Sequence, residues 1–157
     1  MNIKLIAIGK TDNKNLQVLI DDYSNRLSFY IKFNIEIIAD IKNGKSLSEK
    51  QQKEKEGELI LSKLNPQEEL ILLDENGTSY SSMTFSNYLQ KKMNSGLRTL
   101  VFVIGGPYGF SDAVYSKAQG KVALSQMTFS HQMVRLFMVE QIYRGFTILK
   151  NEPYHHQ

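Results

Sequence analysis

Five short apolar runs rich in β-branched residues, each followed by a stretch with helical spacing, constrain this chain more than any other feature. The runs are 3–8 (IKLIAI), 33–40 (FNIEIIAD), 69–74 (ELILLD), 99–106 (TLVFVIGG) and 121–125 (KVALS). Runs of four to eight residues with little alternation read as strands covered on both faces. Between and after them, 15–30, 48–64, 84–93, 111–118 and 131–149 read as helices. In 15–30 the apolar positions are Leu16, Leu19, Ile20, Tyr23 and Leu27. Strand and helix in regular alternation predict an α/β fold, a mostly parallel sheet with helices on both faces. The 157 residues fit a single domain, with no internal repeat and no linker.

Local signals sharpen the boundaries. Ser48 and Gln51 stand in capping-box spacing at the start of the second helix. The first half of that helix is mostly charged and reads as a solvated face, in which Gly57 is justified by close packing against a neighbour. The polar IKNGKS closes the second strand, and Asn76-Gly77 reads as a turn that ends the third. Pro153 prevents the last helix from continuing into the tail.

That last helix, 131–149, carries apolar side chains all the way round, from Met133 and Val134 to Ile148 and Leu149. A helix apolar on every side is buried. At a chain terminus the expected cover is a second subunit, hence a homodimer. Arg135 and Arg144 are nine residues apart and so lie on opposite faces. Glu140 stands four residues before Arg144, in the favourable order for an intrahelical pair.

Chemistry is bounded mainly by exclusion. The absence of cysteine removes disulfides, thiolate metal sites and a cysteine nucleophile. Three histidines, His131, His155 and His156, without a carboxylate cluster, give no expected metal site. No apolar run reaches membrane-spanning length and no signal peptide is evident, so a cytoplasmic protein is expected. The net charge of +3 permits a polyanionic partner without demanding one.

Ligands of open α/β sheets sit beyond the carboxyl ends of the strands. Those ends are Gly9-Lys10, Asp40, Asp74-Glu75, Gly105-Gly106 and Ser125-Gln126. A dinucleotide fold would place its glycine cluster after the first strand, where this chain has only IGKTDNK. The rich loop, GGPYG, follows the fourth strand. No Gly-Lys-Ser/Thr follows it, so it is not a Walker loop, and Gly-x-Ser-x-Gly is absent. From the residues alone, a tight turn and a ligand loop both stay open.

Several segments together resemble one family. They are IKLIAIGK at the start, KEGE at 55–58, LLD at 72–74, FVIGGPYGF at 102–110, ALSQMTFSHQMVRLFMVEQIYRGF at 123–146 and the ending PYHH. In order and across nearly the whole chain, they are similar to the RlmH-type methyltransferases of the SPOUT class. The resemblance implies a C-terminal trefoil knot in the α/β fold, a homodimer, and S-adenosyl-L-methionine as cofactor. It implies methylation of N3 of a pseudouridine in 23S ribosomal RNA of the assembled large subunit or 70S ribosome.

Carried over by position, the cofactor residues are Leu73, Gly105, Leu124, Ser125, Gln126, Met127, Thr128 and Phe129. The implied catalytic group is Arg144, as a cation beside the base carbonyls, with His155 as proton acceptor or base contact and Tyr154 against the flipped nucleoside. The resemblance places this tail at the partner subunit's site. His131 is expected to make a structural hydrogen bond or touch substrate, and Arg135 to bind RNA phosphate or cross the dimer interface. Gly105 is expected to be bare so that the chain can approach the cofactor.

Overall fold

The computed structural model describes residues 1–41 and 46–155. Most of the IKNGKS segment and the second histidine of PYHH, His156, lie outside them. The order is β1 (Asn2–Ile8), α1 (Lys14–Leu27), β2 (Lys32–Ile38), α2 (Glu49–Ser62), β3 (Glu68–Ser79), α3 (Ser82–Asn94), β4 (Thr99–Ile104), α4 (Asp112–Lys117), β5 (Gly120–Ala123) and α5 (His131–Leu149). Every strand and helix expected from the sequence is present. The strands form one parallel sheet in the order β2-β1-β4-β3-β5.

Apolar runs without alternation are explained by cover on both faces. On one face Ile3, Leu5, Leu100 and Phe102 pack with Ile20, Leu89, Met138 and Ile142 of α1, α3 and α5. On the other, Ile6, Leu72, Val101 and Val103 pack with Ile60 of α2 and Val114 of α4. Each long helix starts at a side-chain cap, Asn13, Ser48, Ser81 or Ser130. The capping box of Ser48 with Gln51 is formed. Lys4, on a buried strand, keeps its charge by pairing with Glu68 at 3.0 Å and donating to the Lys63 carbonyl.

One sequence expectation changes. β3 does not end at Asn76-Gly77. It continues to Ser79, with its pairing to β5 shifted between Leu73 and Thr78. A Cβ on Gly77 would lie 2.7 Å from the backbone of Val122, so the glycine serves a close approach of two strands rather than a turn. On α5, part of the apolar surface is covered within the chain by α1 and α3. Leu136, Phe137 and Tyr143 remain half-buried.

Candidate functional site

A cavity of about 450 Å³ opens at the carboxyl ends of β4 and β5, beside the middle of β3. β3 contributes Leu73 and Asp74, and β4 runs directly into Gly105 and Gly106. The segment after β5 supplies Leu124, Ser125, Met127, Thr128 and Phe129, and α5 opens onto the cavity with His131 and Val134. Of the cofactor residues carried over by position, only Gln126 is not part of the lining.

Local chemistry shapes each wall. In the glycine loop, Gly109 has φ +78° and its N–H donates to the Gly106 carbonyl at 3.1 Å, a turn in which a side chain would be strained. A Cβ on Gly105 would sit 3.1 Å from the Phe110 ring, so packing within the loop leaves little room for a side chain there. The Ser125 hydroxyl accepts from the Met127 amide at 2.9 Å, which turns the next wall. Phe129 meets Phe137 of α5 edge-on at 4.9 Å. Gln132 bonds the backbone at Asp12 and Lys10, fastening the start of α5 to the segment after β1.

The electrostatics of the cavity are one-sided. Asp74, Glu75 and His131 are among its lining residues, which among the described residues include no lysine or arginine. Burial alone would raise the Asp74 pKa. The Tyr115 hydroxyl, donating at 2.6 Å, the Asn76 amide and the charge of Lys121 together hold it below the ordinary carboxylate value. Tyr115 is itself pushed up to about 12, by burial first and then by its bond to Asp74. His131, at the exposed rim, is held below its ordinary value by partial desolvation and by the charge of Arg135. Asp74 is therefore anionic and His131 neutral at pH 7.

The residues expected to act on substrate form a second cluster. Glu140 Oε1 accepts from Arg144 Nε at 2.9 Å, from Arg144 Nη2 at 2.5 Å and from the Tyr154 hydroxyl at 3.0 Å. The guanidinium lies over the Tyr154 ring at 4.7 Å, and the Tyr154 hydroxyl is 3.1 Å from that of Tyr23 on α1. Arg144 Nη1 is 3.4 Å from His155 Nδ1. A guanidinium only donates, so Nδ1 accepts and the proton of neutral His155 sits on Nε2, which is buried without a partner. Burial, then the bonds to Tyr23 and Glu140, raise the Tyr154 pKa. The tail is also fastened by Tyr30, whose hydroxyl donates to Glu152.

This cluster does not meet the cavity of its own chain. Arg144 stands thirteen residues after His131 on one helix, about 20 Å along the axis. The sequence anticipated the Glu140–Arg144 pair and the place of Asp74 among the strand-end residues, but not Tyr23 or Tyr115 as members of either site. Tyr23 and Tyr154 are too far apart in sequence for any spacing rule to join them.

Arg135 is placed differently from expectation. It is only 2% exposed, so its guanidinium cannot meet RNA phosphate from this position. It donates from Nη2 to the Ile8 carbonyl at 2.7 Å and from Nη1 to the Thr11 hydroxyl at 3.0 Å, closing the end of β1. Burial lowers its pKa, against the opposing charges of Asp12 and Asp40. Arg135→Ala is expected to cost about 2–4 kcal/mol in urea unfolding, from lost packing and an orphaned carbonyl. A loss below about 0.5 kcal/mol would show that this bonding is incidental.

Comparison with known proteins agrees with this architecture. A family-wide profile described as "Predicted SPOUT methyltransferase" matches residues 1–155. Proteins named ribosomal RNA large subunit methyltransferase H are similar over 157 residues, the whole of each chain. The identities are 80% for that of Flavobacterium psychrophilum, 64% for that of Christiangramia forsetii and 54% for that of Porphyromonas gingivalis. With a parallel sheet, a cavity walled by β3 and by the segments after β4 and β5, and similarity from end to end, the chain belongs to the SPOUT methyltransferases, of the RlmH type.

Proposed function

We propose that this chain uses S-adenosyl-L-methionine to methylate N3 of a pseudouridine in 23S ribosomal RNA of the assembled large subunit or 70S ribosome. It acts as a cytoplasmic homodimer, with the trefoil knot of its class in the C-terminal half. The observation that carries the cofactor reading is the charge of the cavity. A nucleotide phosphate is served best by cations, whereas the walls offer anionic Asp74 together with Glu75 and, among the described residues, no lysine or arginine. That set fits a ligand bearing a sulfonium and an ammonium.

When bound, S-adenosyl-L-methionine supplies a methyl group already activated on its sulfonium. The residues then have to hold, orient and exclude water. Leu73, Gly105 and the 124–129 segment hold the adenosine end, with Gln126 contributing through its place in that segment. The apolar side chains of Leu124, Met127 and Phe129 keep water away. The partner subunit brings its own copy of the tail cluster, since Arg144 stands ten residues, about 15 Å, along the helix from Val134 of its own cavity and does not reach it.

In that arrangement Arg144 stabilises the negative charge left on the base when the N3 proton departs. Glu140 fixes the guanidinium by two of its donors and leaves Nη1 turned towards His155. With Nδ1 accepting from Arg144, His155 donates from Nε2 to a base carbonyl, and the N3 proton leaves to solvent water. Tyr154 packs on the extruded nucleoside.

The modest net charge of +3 favours a shaped ribosomal surface over bare RNA. The test is transfer of labelled methyl from the cofactor to ribosomes from a strain lacking this protein, followed by digestion to nucleosides. Label in N3-methylpseudouridine is expected, with protein-free ribosomal RNA a much poorer acceptor. Label in another nucleoside, or none, overturns the reading.

A further inference from the structure

The charged first half of α2 hides one residue that does not belong to a solvated face. Lys55 and Glu58 are exposed, but Glu56 between them is only 3% exposed. Its Oε1 accepts from Gln52 Nε2, one turn earlier, at 2.8 Å. Its Oε2 is buried and has no hydrogen-bond partner among the described residues.

What that oxygen faces is the glycine loop. A Cβ built on Gly106 would stand 2.3 Å from Glu56 Oε2, and Gly106 is itself a wall of the cavity. The next residue of α2 does the same at the other end of the loop. A Cβ on Gly57 would stand 2.2 Å from the Ser111 hydroxyl, the cap of α4. Consecutive residues of α2 therefore brace both ends of the segment from Gly105 to Ser111.

Gly57 explains itself as close packing. Glu56 does not, because a buried carboxyl with one oxygen unpaired destabilises a fold that an apolar side chain of similar length would stabilise. Burial, and next to it the negative charge of Asp40, push its pKa up, with Gln52 opposing. Groups kept at a cost to the fold are concentrated where binding or catalysis needs them.

We infer that Glu56 is a positioning residue: its unpaired oxygen is the hydrogen-bond partner that the backbone of the glycine loop takes when the loop closes on the cofactor. This rests on the reading that the cavity holds S-adenosyl-L-methionine. Pro107 has no N–H, so the backbone donors flanking the contact are those of Gly106 and Tyr108.

The experiment compares wild type, Glu56→Met and Glu56→Gln by thermal unfolding without cofactor and by calorimetric titration with S-adenosyl-L-methionine. The methionine variant is expected to unfold at or above the wild-type temperature yet bind roughly tenfold more weakly or worse, the loss of about one hydrogen bond. The glutamine variant, which can still bond the loop, is expected to bind within about threefold of wild type. A purely structural role gives no such split. Wild-type affinity in Glu56→Met overturns the role of Glu56 alone, whereas a wild-type protein that does not bind the cofactor overturns the cofactor reading. Should Glu56→Met fail to fold, amide exchange in the wild type decides. Exchange at Gly106 and Tyr108 is expected to slow roughly tenfold or more when cofactor is added, and unchanged exchange overturns the proposal.

Discussion

Arg144→Ala is expected to bind S-adenosyl-L-methionine within about twofold of wild type and to transfer methyl about 10²–10³ times more slowly, the range for removing one donor aimed at developing negative charge. The split follows from location, since the guanidinium and the cavity lie at opposite ends of α5. Folding should survive the change, because Glu140 keeps the Tyr154 hydroxyl and the Gln141 amide as donors. Arg144→Lys restores a charge but not the fork that uses Nε and Nη2 on one carboxylate oxygen, so partial recovery is expected.

A mixed dimer tests the crossing of subunits directly. One chain carries Arg144→Ala and the other Gly105→Val, whose added side chain would press on the Phe110 ring and block the cavity wall. If each cavity uses the partner's tail, one of the two sites pairs an intact cavity with an intact tail, and the mixed dimer regains about half of wild-type activity. If each chain serves itself, both sites are broken and the mixture is inactive. Arg144→Ala with unimpaired turnover would remove the residue from the mechanism.

The strands and helices were legible because each carries a periodic or apolar signature. The strand order was not, since β4 inserting between β1 and β3 depends on contacts far apart in sequence. Helical arithmetic correctly set Arg135 and Arg144 on opposite faces. It could not say which face turns inward, because α5 is apolar on every side, and so it gave a buried arginine a role on the surface. Glu56 shows the same limit from the other direction. In a run of charged residues, one buried glutamate leaves no mark.

The cavity was partly legible for a different reason. Strand ends can be read from the sequence: Gly105 and Ser125 follow β4 and β5, and Leu73, within β3, pairs with Ile104, the last residue of β4. The bond between Asp74 and Tyr115 joins residues 41 positions apart and could be found only in the folded chain.

Gly77 was read from sequence as a turn residue, and the structure gives it a role with a large and specific consequence. A turn glycine is needed for its backbone angle. The positive-φ glycines here are Gly9, Gly96 and Gly109, and Gly77 is not one of them. Its constraint is steric: a Cβ would stand 2.7 Å from the nitrogen and carbonyl carbon of Val122 and 2.8 Å from the Ala123 nitrogen. Those are backbone atoms of β5, and no side-chain rotation relieves the clash. β5 has only four residues and leads directly into the 124–129 wall of the cavity, so displacing it moves the wall. Gly77→Val is therefore expected to destabilise by about 3 kcal/mol, at the upper end for overpacking. That corresponds to a fall in Tm of about 6–12 °C for a chain of this size. Cofactor affinity should fall with it, roughly tenfold or more by calorimetry, since a 1.4 kcal/mol distortion of the wall suffices. Gly77→Ala should do nearly as much, because the first carbon makes the clash. Gly96→Ala is the control: it strains a positive φ but meets nothing within 4 Å, and should cost about 1 kcal/mol without changing cofactor binding. Equal effects at the two glycines would mean that backbone angle, not the approach of β5, is what Gly77 provides.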